Sequence, residues 1–153
     1  METLEPIIAE HPFFEGFRSQ YTELLVGCAS NVRFNPGELL LRGGEEASQF
    51  FVLRQGKVAV ELSAAGRKPI VIQILEGGEI LGWSWLLPPY QWRFDARAIE
   101  PTRAVAFDGK CLRAKCEEDH DLGYELLKRF TTIIAKRLDA ASMQLLDTYG
   151  EHP

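Results

Sequence analysis

Apolar residues are spaced in three different ways along the chain. Between residues 4 and 29, Ile7, Ile8, Phe13, Phe14, Phe17, Tyr21, Leu24 and Leu25 recur at steps that suit helices. Pro6 and Pro12 stand near the starts, so short N-terminal helices are predicted. Asn35-Pro36-Gly37 marks a turn. From Val32 to Phe107 the apolar runs are short, and residues 32–34, 39–41, 50–53, 58–62, 70–75, 96–99 and 104–107 read as strands. Gly37, Gly43–Gly44, Gly56, Gly66 and Gly77–Gly78 punctuate them. Alternation is clearest over 58–62 and 70–74, which predicts two half-buried strands. Short strands so regularly spaced predict a β sandwich or an antiparallel jelly-roll barrel.

After Asp108 the strand pattern stops. Asp108 is placed to cap a helix through residues 111–118, and Asp119 or Asp121 to cap a longer one running to about Tyr149. On that last helix Leu127, Phe130, Ile134, Leu138, Ala141 and Leu145 form a stripe at steps of three and four. Leu122, Leu126 and Ile133 widen it, enough for one face to cover the β domain and another to meet a partner. The predicted class is mainly β with flanking helices: one domain over 1–153, strands over about 30–107 and C-terminal helices over 108–149.

Residues 77–98, GGEILGWSWLLPPYQWRFDARA, interrupt the alternation and hold all three tryptophans. Apolar runs at 79–81 and 83–87 flank Gly82, and Pro88–Pro89 then forces an extended, turned path. So many large rings predict a packed segment rather than a solvent loop.

This layout resembles the phosphate-binding cassette of cyclic-nucleotide-binding domains of the catabolite-activator type: a Gly-Glu turn, a glycine, a short apolar segment, a proline and a return strand ending in Arg-Ala. The glycine-marked turns Pro36-Gly37-Glu38-Leu39, Gly44-Glu45-Glu46-Ala47 and Gly56-Lys57-Val58 follow the family's order and spacing. The resemblance covers about residues 13–146. It implies a double-stranded β-helix (jelly roll), a helical lead-in, and a C-terminal helix that lids the pocket and often pairs two subunits. It also puts Gly82 on the cassette glycine and Leu86 on its later leucine.

Two positions depart from the family pattern. The glutamate that accepts the ribose 2′-hydroxyl falls on Trp83, and the arginine that pairs with the cyclic phosphate falls on Trp92. Arg93 is one place late, and one step along a strand points a side chain to the other face. A charge-assisted bond to phosphate is worth roughly 1.5–3 kcal/mol. Losing it with the ribose contact costs about 3–5 kcal/mol, turning a micromolar ligand into a roughly millimolar one. The candidate ligand-binding residues are Leu81, Gly82, Trp83, Ser84, Trp85, Trp92, Arg93 and Phe94, with Ser84 and Arg93 as the polar contacts. The resemblance also implies an anion site formed by the amides around residues 81–84. Trp83 and Trp92 either line the pocket or fill it.

Composition adds exclusions. With 46% hydrophobic and 25% charged residues the chain has an ordinary globular make-up. No run approaches 18 apolar residues, so no membrane helix is expected, and acidic residues near the start argue against an export signal and for a cytoplasmic protein. The net charge of −5, with no basic cluster, argues against a nucleic-acid partner. Cys28, Cys111 and Cys116 lack zinc-like spacing and read as reduced thiols, with redox or metal sensing as the other reading. No nucleophile lies near a base, and no GxGxxG or Walker spacing occurs, so neither an enzyme nor a resident cofactor is expected.

Two functions follow. One is a regulatory sensor that binds cAMP, cGMP or another small anionic or aromatic ligand and signals through its C-terminal helix to a second subunit or a separate partner. The other is a ligand-free interaction and dimerisation module whose pocket Trp83 and Trp92 fill. No DNA-binding domain is expected in the chain.

Overall fold

A computed structural model describes residues 4–63 and 66–150. It divides into two compact units, Met1–Lys115 and Cys116–Pro153.

In the first unit, helix α1 (Leu4–Glu10), a 3-10 turn (Pro12–Phe14) and helix α2 (Ser19–Val26) precede the strands. Pro12 opens the 3-10 turn, where its missing N–H costs nothing, and the Phe13 N–H donates to His11 Nδ1 at 3.1 Å. Among the described residues eight strands follow: β1 (Ala29–Phe34), β2 (Leu39–Leu41), β3 (Gln49–Gln55), β4 (Lys57–Leu62), β5 (Ile70–Glu76), β6 (Ile80–Leu81), β7 (Asp95–Ala98) and β8 (Thr102–Asp108). They make two four-stranded antiparallel sheets, ordered β1-β8-β3-β6 and β2-β7-β4-β5, rather than one closed ring of pairing. The mainly antiparallel class with flanking helices agrees with the sequence reading.

Strand β4 departs from its predicted alternation. Val58, Ala59 and Val60 are all buried. β4 lies between β5 and β7, so the small Ala59 stands opposite the larger Ile74 and Arg97 on its two neighbours. β5 is the sheet edge, and Ile70, Val71 and Ile74 are exposed there.

Four aromatic rings form the spine of the core. Phe107 stacks on Phe50 at 4.6 Å, Phe50 stacks on Trp85 at 5.1 Å, and Phe14 closes on Phe107 at 5.7 Å. Each such pair is worth about 0.5–1.5 kcal/mol beyond its buried area.

The cysteine reading needs correction. Cys28 and Cys111 form a disulfide across 83 residues, joining the chain just after α2 to the first turn of α3 (Gly109–Glu118). The β1–β8 ladder sets Ala29 opposite Phe107, and the Asp108 N–H donates to the Cys28 carbonyl at 2.8 Å. Long-range pairing, invisible in the spacing, brings the two thiols together. Asp108 caps α3 as expected, accepting from the Cys111 N–H at 3.0 Å.

The second unit holds helix α4 (His120–Gly150), 31 residues or about 46 Å long. Asp119 caps it, accepting from the Asp121 and Leu122 N–H groups at 3.1 and 3.2 Å. Leu122, Leu126 and Phe130 are buried, and every described side chain from Leu138 onward is exposed. Cys116 is a free thiol whose pKa is pushed up to about 11 by burial and then by Glu117 and Asp119.

Candidate functional site

The predicted cassette begins where β5 turns into β6. The Gly78 N–H donates to the Leu53 carbonyl at 2.7 Å, and the Leu53 N–H returns to Glu79 at 2.9 Å, so the turn is fastened to the middle of β3. The Glu79 carboxylate accepts from the Glu76 N–H at 2.6 Å, a clasp that explains a Gly-Gly-Glu turn. His11 lies beside this turn; burial lowers its pKa, against the pull of the Gly78 backbone. β6 is too short to read as a strand from sequence, but pairs with β3 through Leu81 opposite Phe51.

At Gly82 the backbone takes φ +96°, which side chains rarely allow. The space a β-carbon would need there is already taken: Cη2 and Cζ3 of Trp92 stand 2.8 Å from that position. A turn follows, with the Leu86 N–H on the Trp83 carbonyl at 3.1 Å, and the chain reverses through a cis Pro88–Pro89 bond.

The return arm is held on both sides of Trp92. Its N–H donates to the Glu45 carbonyl at 3.0 Å, and its carbonyl accepts from the Gly44 N–H at 2.8 Å. The Ala47 N–H donates to the Tyr90 carbonyl at 2.7 Å, and Gln91 bridges Glu46. These bonds fix the register. Trp92 is turned inward and is 8% exposed, whereas Arg93, one step on, is exposed.

The eight predicted site residues therefore separate into three groups. Gly82 meets Trp92, and half-buried Trp83 meets half-buried Phe94 edge-on at 6.5 Å. Leu81 and Trp85 are pulled into the core, Trp85 onto Phe50. Ser84 is half-buried and Arg93 points to solvent. Arg97 is occupied elsewhere, near Glu61 at 3.4 Å and donating to the Gly37 carbonyl at 2.9 Å.

Helix α3 contributes a set of contacts that the local sequence does not signal. Arg113 lies over the Tyr90 ring at 4.3 Å and donates to the Trp85 carbonyl. A β-carbon on Gly109 would stand 3.0 Å from the Trp85 Cβ, so the helix start is pressed against that tryptophan. Lys110 pairs with Glu46 at 3.1 Å. The cassette hairpin and α3 are thus joined by a cation–π contact, a hydrogen bond and a close packing point, and the ion pair ties α3 to Glu46, which bridges Gln91 of the hairpin. Among the described residues no cluster of His, Cys, Asp or Glu is arranged to hold a metal ion, and no helix is long and apolar enough to cross a membrane.

The family model of the cyclic nucleotide-binding domain matches residues 31–119, more than half of the chain, and the chain belongs to that family. In sequence it is 37% identical to human cGMP-dependent protein kinase 2 over 59 residues, which is 38% of this chain and 8% of the kinase. Among solved structures, a Geobacter metallireducens protein of cyclic nucleotide-binding type superposes with a TM-score of 0.80 at 24% identity, covering 90% of this chain and 99% of that one. The regulatory subunit of a cAMP-independent protein kinase A from Trypanosoma brucei superposes at 0.69 with 19% identity, covering 85% of this chain and 46% of that one. The fold is that of a cyclic nucleotide-binding domain.

Proposed function

We propose that this chain is a regulatory interaction domain whose nucleotide site is closed by its own Trp92, and that it acts without cAMP or cGMP. The observation that carries this reading is the seat of the Trp92 ring on Gly82, fixed by backbone bonds to Gly44 and Glu45. By the family resemblance that seat is where an arginine pairs with the cyclic phosphate, and the ribose glutamate is replaced by Trp83. Arg93 faces solvent, so the neighbouring arginine does not substitute. The trypanosomal relative described as cAMP-independent supports the idea that this fold can serve without that ligand.

The output in this reading is association of two copies through α4. Leu138 and Leu145 are 65% and 59% exposed and continue the steps of three and four set by Leu127, Ile134 and Ala141. That spacing suits a two-stranded coil with a second copy of the chain. Calorimetric titration with cAMP and then cGMP tests the closed site. No heat at millimolar nucleotide is expected, and micromolar binding would restore the nucleotide-sensor reading.

A further inference from the structure

A cleft of about 290 Å³ opens at the end of β3 remote from Gly82, lined by Arg33, Phe34, Asn35, Gln55, Pro101 and neighbouring residues. Gly82 lies by Gln49 at the start of β3 and Gln55 is at its end, six residues or about 20 Å away. The two places share no residue.

The cleft's construction follows from the strand register. Arg33 on β1 is directly opposite Arg103 on β8, and Arg103 is opposite Gln55 on β3, so two guanidinium groups and an amide form one row across three strands. Gly56 brings the third of these into place. A β-carbon there, at φ +108°, would stand 2.5 Å from Thr102 Oγ1 and 2.6 Å from the Pro101 carbonyl. Only glycine lets the β3–β4 turn press so closely on the β7–β8 turn.

Arg103 already has a partner, which leaves Arg33 as the open guanidinium of the row. Among the described residues the side chains of Arg33, Asn35 and Gln55 have no hydrogen-bond or ion-pair partner. On the β1 side the nearest acid in sequence, Glu38, is committed to the Asn35 N–H at 3.0 Å, and on the β8 side Glu100 directly precedes Pro101. One wall of the cleft is apolar: Phe34, held edge-on by Phe51 at 5.8 Å, and Pro101. Forked guanidinium donors match the two oxygens of a carboxylate or phosphate, and the volume is at the lower end of that found for small-molecule sites.

We propose that this cleft is a second ligand site, which takes a small organic oxyanion, a carboxylate or a phosphate monoester. The anionic group lies between Arg33 and Arg103, within reach of Asn35 and Gln55, and an apolar body rests on Phe34 and Pro101. The site does not depend on whether the cassette binds anything.

The test is a titration of the isotopically labelled chain with phenyl phosphate and with benzoate, followed by NMR at the arginine Nε–H groups, with chloride at matched ionic strength as control. Saturable shifts at Arg33, Arg103 and the Gln55 amide are expected, with Arg33→Gln weakening them roughly tenfold or more and the unfolding midpoint unchanged. Gln55→Ala should weaken them less. No saturable shift at millimolar probe, shifts confined to residues 82–94, or an unaltered response in Arg33→Gln would each overturn the proposal.

Discussion

The indole edge of Trp92 lies 2.8 Å from the place where Gly82 would carry a β-carbon. Glycine is required at 82 twice over, by the ring and by φ +96°. Gly82→Ala should therefore destabilise the chain by about 2–4 kcal/mol, through backbone strain and overpacking together. Urea unfolding should show a lower midpoint with an unchanged slope. A neutral result would mean that the ring moves away freely and that the seat is not fixed.

The three tryptophans, so alike in sequence, should behave differently. Trp85 is fully buried on Phe50, and Trp85→Ala should cost about 3–5 kcal/mol. Trp83 is half-buried against Phe94, and Trp83→Ala should cost about 1–2 kcal/mol. Equilibrium unfolding of the two variants gives the order directly, and a larger loss at Trp83 would contradict the packing described.

Much of this fold can be read from the chain, for reasons that vary by element. The glycine-marked turns and β-branched runs announce the strands because local chemistry decides them, and the Asp108 cap is likewise local. β6 carries no such signal, because two residues have no period. The burial of Ala59 escapes the alternation of 58–62 because it depends on neighbours in other strands. The disulfide and the Arg113–Tyr90 contact join residues distant along the chain, where spacing has no bearing. At the site, sequence placed Trp92 opposite the family's arginine but left open whether it lines or fills. The backbone bonds to Glu45 and Gly44 fix the register that seats the Trp92 ring on Gly82.

His11 gives the stability a pH dependence of definite sign. Burial lowers its pKa below the ordinary 6.5, so the unfolded chain takes up the proton more readily than the folded one. The contribution of the neutral ring is complete above pH 6.5, declines as pH falls through the folded-state pKa, and levels off below it. His11→Asn keeps an acceptor for the Phe13 N–H and removes the titration. Urea unfolding from about pH 8 to about pH 5 should show a steeper loss in the parent chain than in the variant. Parallel curves would show that His11 does not titrate within this fold.

Leu138 tests the role of α4. Being 65% exposed, it adds little to the fold of the single chain. Leu138→Glu should change the unfolding free energy of the separated chain by no more than about 0.5 kcal/mol. Light scattering should nonetheless find half the mass, because a glutamate in the seam of a coil sets like charges against each other. Unchanged mass with the fold intact would show that this position does not hold two copies together.

The most direct measurement is calorimetric titration with cAMP and cGMP of the parent chain beside the double variant Trp83→Glu, Trp92→Arg. A site closed by its own ring predicts no heat for the parent at millimolar nucleotide and a gain in the double variant. The gain should approach the about 3–5 kcal/mol that the replaced contacts supply, bringing the dissociation constant toward micromolar. Micromolar binding by the parent chain would contradict it.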